Sequence, residues 1–123
     1  MIEKILWVFL GIITGIITGL IPGIHANTIA FIALYSPLEK SLEFGMFVVA
    51  MSISHSFVDA IPNILLGAPS EESFLSVLPG HDFLLQGKGL EAIQLTIFGG
   101  LFTGIIALFL MPFFYSFAIN YGE

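Results

Sequence analysis

The chain has 123 residues, of which 10% are charged and 57% hydrophobic, and its mean hydropathy is +1.03. Soluble domains carry about 25% charged residues, so this composition excludes an ordinary water-covered domain and makes lipid the natural solvent. Nine acids against three lysines leave a formal charge of −6, and the missing basic clusters and cysteines exclude nucleic acid, polybasic lipid-headgroup binding, disulfides and thiolate metal sites.

The first apolar run extends from Ile5 to Ile21, meets Pro22-Gly23, and resumes from about Ala26 to Tyr35. Lys4 ahead of that run imitates a secretory signal, but no small-x-small cleavage site follows, so it reads as a retained span. As one helix, Ile5 to Tyr35 would be about 46 Å long, against a hydrocarbon core of about 30 Å. Proline removes a backbone donor and glycine weakens a helix, so the break belongs at 22–23. The expected object is a span, an unwound elbow and a second half-helix.

Within the first span Gly11, Gly15, Gly19 and Gly23 recur every fourth residue, with Thr14 and Thr18 beside two of them. Residues four apart share a helix face, and glycine there admits another backbone. Helix packing is the plain reading of this stripe. After the elbow, a half-helix starting near Asn27 would offer free N–H groups and a positive dipole end to a carboxylate. The elbow residues Pro22, Gly23, His25, Asn27 and Thr28 are therefore substrate-site candidates, as in transporters that build sites from broken helices. The alternative is a proline kink in which Asn27 or Thr28 serves only as a cap.

A loop over 36–41 precedes the next span, Glu43 to Ala60, which Pro62 is expected to end. This span carries Ser52, His55, Ser56, Asp59 and Asn63 at i, i+3, i+4, i+7 and i+11, hence on one face. An acid in mid-membrane costs at least about 2.5 kcal/mol, so the stripe should face protein or water, and such groups commonly mark ion or proton pathways. Ser52, His55, Ser56 and Asp59 are the coupling candidates. An interfacial Asp59, or a structural His55–Asp59 pair, is the alternative.

The stretch ILLGAPSEESFLSVLPGHDFLLQGKG, with two prolines and four glycines, suits a re-entrant or interfacial segment better than a span. A third span runs from about Glu91 to Phe117, with Pro112 near its far end and a small-residue face that includes Gly99, Gly100 and Gly104. Lys4, Lys40 and Lys88 fall one to each connection, so charge assigns no orientation. The fold expected is an all-α integral membrane protein, one transmembrane domain over 1–123, with about three spanning helices, a broken helix and a re-entrant or interfacial segment.

Of His25, His55, His81 and Asp59, only His55 and Asp59 have local ligand spacing, so no metal site is expected. Nucleotide-binding, hydrolase and zinc-protease motifs are absent, and no enzyme is indicated.

Three stretches make the chain similar to the large permease subunit of the tripartite tricarboxylate transporters. Gly15-x-x-x-Gly19-x-x-Pro22-Gly23 resembles the family's G-x-x-x-G-x-x-P-G. Ile64-Leu65-Leu66 followed by Pro69 resembles I-L-L-N-x-P-G, with Gly67 for the Asn and Ser70 for the Gly. Gln86-Gly87-Lys88 and Glu91-Ala92 resemble Q-G-R/K-A-G-E-A, the most specific of the three, and Pro79-Gly80-His81 lies near the family's D-G-Y. His25-Ala26-Asn27 replaces the usual G-P-T, and His55-Ser56 to Asp59 replaces a glycine-rich segment, which marks a divergent branch.

The resemblance covers the first repeat region and implies one half or fragment of a larger multi-pass permease of the cytoplasmic membrane. It implies secondary transport of a small carboxylate, with Na+ or H+ as coupling ion and no other cofactor. Pro22, Gly23, His25, Asn27, Thr28, Asn63, Pro69 and Ser70 would hold the substrate. The implied partners are a second permease half or a second copy, a small membrane subunit and an extracytoplasmic binding protein. The competing reading is a small non-transporting membrane subunit that packs on a partner through its glycine faces.

Overall fold

The computed structural model describes residues 2–35, 41–67 and 74–121. Among them are five helices and no strand: α1 (Ile2–Gly19), α2 (Ala26–Tyr35), α3 (Leu42–Leu66), α4 (Phe74–Leu85) and α5 (Gly89–Tyr121). Ile2–Gly19, Leu42–Leu66 and Gly89–Phe117 are long and apolar enough to cross a membrane. The expected all-α fold with three spanning helices is present, including the break after the first span.

The glycine stripe of α1 determines how the bundle is built. A Cβ on Gly11 would lie 2.5 Å from the Phe47 carbonyl oxygen and 3.1 Å from Met51 N. On Gly15 it would strike the Met51 oxygen, and on Gly19 it would lie 2.8 Å from the His55 oxygen and 3.1 Å from Asp59 N. Both numberings rise together, so α1 and α3 are parallel, with backbones as close as glycine permits. Met51, fully buried, sits at the centre of this seam. At the shared N-terminal ends, Ser41 caps α3 by accepting from Phe44 N at 3.2 Å, and Lys4 Nζ lies 3.9 Å from Glu43 Oε1.

Two parallel neighbours require the chain between them to recross the layer. An 18-residue α1 is about 27 Å long. The 10-residue α2 supplies about 15 Å of the return.

Pro62 does not end α3, contrary to expectation. The helix continues through it to Leu66 and stops at Gly67, whose φ of +61° is the left-handed C-cap conformation. Pro62 deprives the Val58 carbonyl of its usual donor and lies buried against protein, where the loss is tolerated. Asn63-Ile64-Leu65-Leu66 then continue the helix until a glycine can leave it.

The stretch after Gly67 contains a real helix, α4, whose 12 residues reach about 18 Å, too short to span. Its end explains the Gln86-Gly87-Lys88 motif. Lys88 N donates to Phe83 O at 2.8 Å, Gly87 N to Leu84 O at 2.9 Å, and Gly87 has φ +80°. This is a Schellman stop, which needs glycine at its left-handed residue. The chain then reverses into α5, where Ala92 is buried. α5 runs antiparallel to α3, touches it where the Phe57 ring covers Gly100, and has no buried residue from Ile93 to Phe117.

Candidate functional site

The elbow is tighter than an unwound segment. Ile24 N donates to Ile21 O at 3.3 Å, Pro22 occupies the second turn position and Gly23, at φ +84°, the third. Proline followed by a positive-φ glycine is the signature of a type II turn. Nothing lies within 4 Å of a Cβ built on Gly23, so the glycine serves the backbone conformation rather than packing.

α2 opens at Ala26, and its first carbonyl acceptor is His25, which receives Thr28 N at 3.0 Å and Ile29 N at 3.4 Å. The cap position therefore belongs to His25, and the reading of Asn27 or Thr28 as the cap is corrected. A helix nucleates directly behind the turn, which places the cap two residues after Gly23. Asn27 and Thr28 lie in the exposed first turn of α2.

The polar stripe of α3 spans an arc of roughly 100°, wide enough for two neighbours to divide it. His55, at one edge, faces α1: it is 3% exposed and its Nδ1 lies 3.0 Å from Thr18 Oγ1. Ser56, at the other edge, faces α5 and donates to Ser52 O at 3.0 Å. Between them, Asn63 Nδ2 donates to Asp59 Oδ2 at 2.6 Å, and Asn63 is 3% exposed. The alternative of a His55–Asp59 pair is thus replaced by two separate contacts, His55–Thr18 and Asp59–Asn63. An i, i+4 spacing permits the pair, but α1 draws the imidazole away to Thr18.

Thr18→Val is expected to lower stability by about 1–3 kcal/mol, because it leaves the buried imidazole nitrogen without its partner. Thr18→Ser should retain most of it. Thermal unfolding of the three proteins in the same detergent decides this.

Gly19 touches α3 at Asp59, so the elbow, Asp59 and Asn63 lie at the same end of the bundle. Ser52 and Ser56 lie elsewhere, in a groove of about 920 Å3 between α3 and α5, lined with apolar and small residues. Gly99 and Gly104 have nothing within 4 Å of a built Cβ, while Gly100 meets Phe57. Its polar groups are the hydroxyls of Ser52, Ser56 and Thr103, with no basic residue in the lining to meet a carboxylate. Pro69 and Ser70, the other substrate candidates, lie outside the described residues.

Sequence reasoning passed over one residue. His81 of α4 bonds through Nδ1 to the Ile64 carbonyl at 2.9 Å, and its ring lies 2.9 Å from where a Gly67 Cβ would be. It caps the C-terminal end of α3, whose last turn has no basic residue. The signal was Gly67 itself, standing where the resembled motif carries Asn.

The sequence model of the tripartite tricarboxylate transporter TctA family matches residues 5–121. The chain is also 40% identical over 113 residues to an uncharacterized protein of Methanocaldococcus jannaschii, a match covering 88% of this chain and 28% of that protein. The chain thus spans little more than a quarter of the length of that curated relative. No solved structure matches it.

Proposed function

This chain belongs to the tripartite tricarboxylate transporter TctA family, and from that premise we propose that it is part of a permease that carries a small carboxylate by ion-coupled secondary transport. The observation that supports this reading best is the broken helix. α1 stops at Gly19, which touches α3 at Asp59, and the chain turns through Pro22-Gly23 before α2 opens at Ala26, so the elbow lies at the Asp59–Asn63 end of the bundle. Backbone donors of α2, with Asn27 and Thr28, meet the carboxylate, and His25, Pro22 and Gly23 hold that end in place. Ser70 joins them from the segment after α3.

Coupling follows from charge. The end of the bundle at the elbow holds Asp59. A carboxylate entering beside Asp59 brings two like charges together, at a cost that a cation taken up with it offsets. Na+ or H+ fills that part, with Asp59 as its counter-charge. The permease works with further membrane and binding-protein subunits, as the family's tripartite name implies.

Calorimetry with citrate, tricarballylate and succinate on the purified chain, with and without Na+, tests this. Saturable, cation-dependent binding is expected, about tenfold weaker in Gly23→Val, where a β-branched residue cannot hold the turn. Asp59→Asn should remove the cation requirement. A folded, monodisperse sample that binds none of the three acids would sink the reading. It would favour a packing subunit, for which the open glycine face of α5 speaks.

A further inference from the structure

The imidazole of His81 has one nitrogen committed and one available. Nδ1 faces the Ile64 carbonyl oxygen at 2.9 Å, and a carbonyl only accepts, so Nδ1 carries the hydrogen. The neutral ring therefore bears its lone pair on Nε2. Among the described residues Nε2 has no hydrogen-bond partner, and no buried side-chain nitrogen or oxygen lacks one, so Nε2 is not fully enclosed by protein.

We propose that His81 is a proton-binding clamp, in which Nε2 takes up a proton and the charged ring fastens α4 to the C-terminal end of α3, regulating the neighbouring transport site. This rests on the transport reading above, and it deepens it by adding a control on the chain that leaves α3 toward Pro69 and Ser70.

The chemistry is local. A second proton turns Nδ1–H···O=C into a charge-assisted bond, shorter and about twice as strong. The bond lies at the end of α3 where the unpaired carbonyls concentrate negative partial charge and where the helix has no lysine or arginine of its own. Gly67, whose missing side chain admits the ring, keeps the charge against that end.

The ionisable groups around the ring leave it this role. On α3, Asp59 lies more than a turn before Ile64 and is held by Asn63 at 2.6 Å. On α4, Asp82 adjoins the ring and is engaged by Gln86 Nε2 at 2.8 Å. At the start of α5 stand Lys88 and Glu91. His55, by contrast, is buried between α1 and α3 with its Nδ1 at Thr18.

The test is nitrogen NMR of the histidine-labelled chain in nanodiscs from pH 5 to 8, with His81→Gln for assignment. The expected result is an Nδ1–H ring at every pH, with reversible protonation at Nε2. Amide protection of Ile64–Gly67, corrected for the intrinsic rate at each pH, should rise at least threefold on protonation and stay flat in His81→Gln. An Nε2–H neutral ring, or protection that follows pH equally in His81→Gln, overturns the clamp. Citrate affinity separates the two proposals. If wild type binds citrate and His81→Gln keeps the same pH profile, the regulation falls and the transport reading stands. If folded wild type binds no carboxylate, the transport reading falls, and the regulatory role falls with it.

Discussion

Replacing Gly15 with leucine is expected to abolish the folded chain, and replacing it with alanine to cost about 1–3 kcal/mol. A Cβ at this position meets the Met51 carbonyl oxygen, Ser54 Cβ at 2.7 Å and His55 N at 2.9 Å. Two of these three neighbours are backbone, and backbone in the middle of a spanning helix does not rotate out of the way. The helices must separate along their length, which also loosens the Gly11 and Gly19 contacts and the Thr18–His55 bond. Gly45→Ala is the control within α3, since nothing lies within 4 Å of its Cβ. It should be neutral or stabilising by up to about 1 kcal/mol. SDS-titrated unfolding of the four proteins ranks them. A Gly15→Leu chain as stable as wild type would mean that α1 and α3 do not pack through this seam.

The seam also shows how far the sequence could be read. A four-residue glycine period announces that some backbone comes close, and it does. It does not say whose, because the stripe records only the absence of side chains. The partner, its parallel direction and the register of Gly15 against Met51 are set by α3, whose facing residues Ala50, Ser54 and Val58 recur at the same period of four. The prolines divide in the same way. Pro22 stops a helix because Gly23 follows it and can take φ +84°. Pro62 does not end its helix, because four helix-compatible residues follow before Gly67. The residue itself is the same in both, so the following residues decide. The polar stripe was legible as one arc, but its division between Thr18, Asn63 and the α5 groove depends on where two other helices lie.

Gly67→Ala is expected to cost about 2–3 kcal/mol, and most of the excess over simple backbone strain should vanish in a His81→Ala background. Two effects meet at this position. Alanine at φ +61° pays about 1–2 kcal/mol for the left-handed conformation, whatever surrounds it. Its Cβ also falls 2.9 Å from the His81 ring, which must move and release the Ile64 carbonyl. His81→Ala alone removes the same bond and leaves that carbonyl without its donor, at about 1–2 kcal/mol. The two substitutions therefore damage one interaction, and the double variant should be more stable than the sum of the singles by about 0.5–3 kcal/mol. Gly67→Asn separates the causes, because asparagine tolerates the left-handed conformation and keeps the collision. It should be costly beside His81 and nearly free in His81→Ala. Additive behaviour across this cycle, measured by thermal unfolding, would show that ring and glycine are neighbours without being coupled. Coupling would explain two departures from the resembled motifs at once: glycine stands where asparagine is usual because a histidine seventeen residues from Ile64 has taken over the end of the helix.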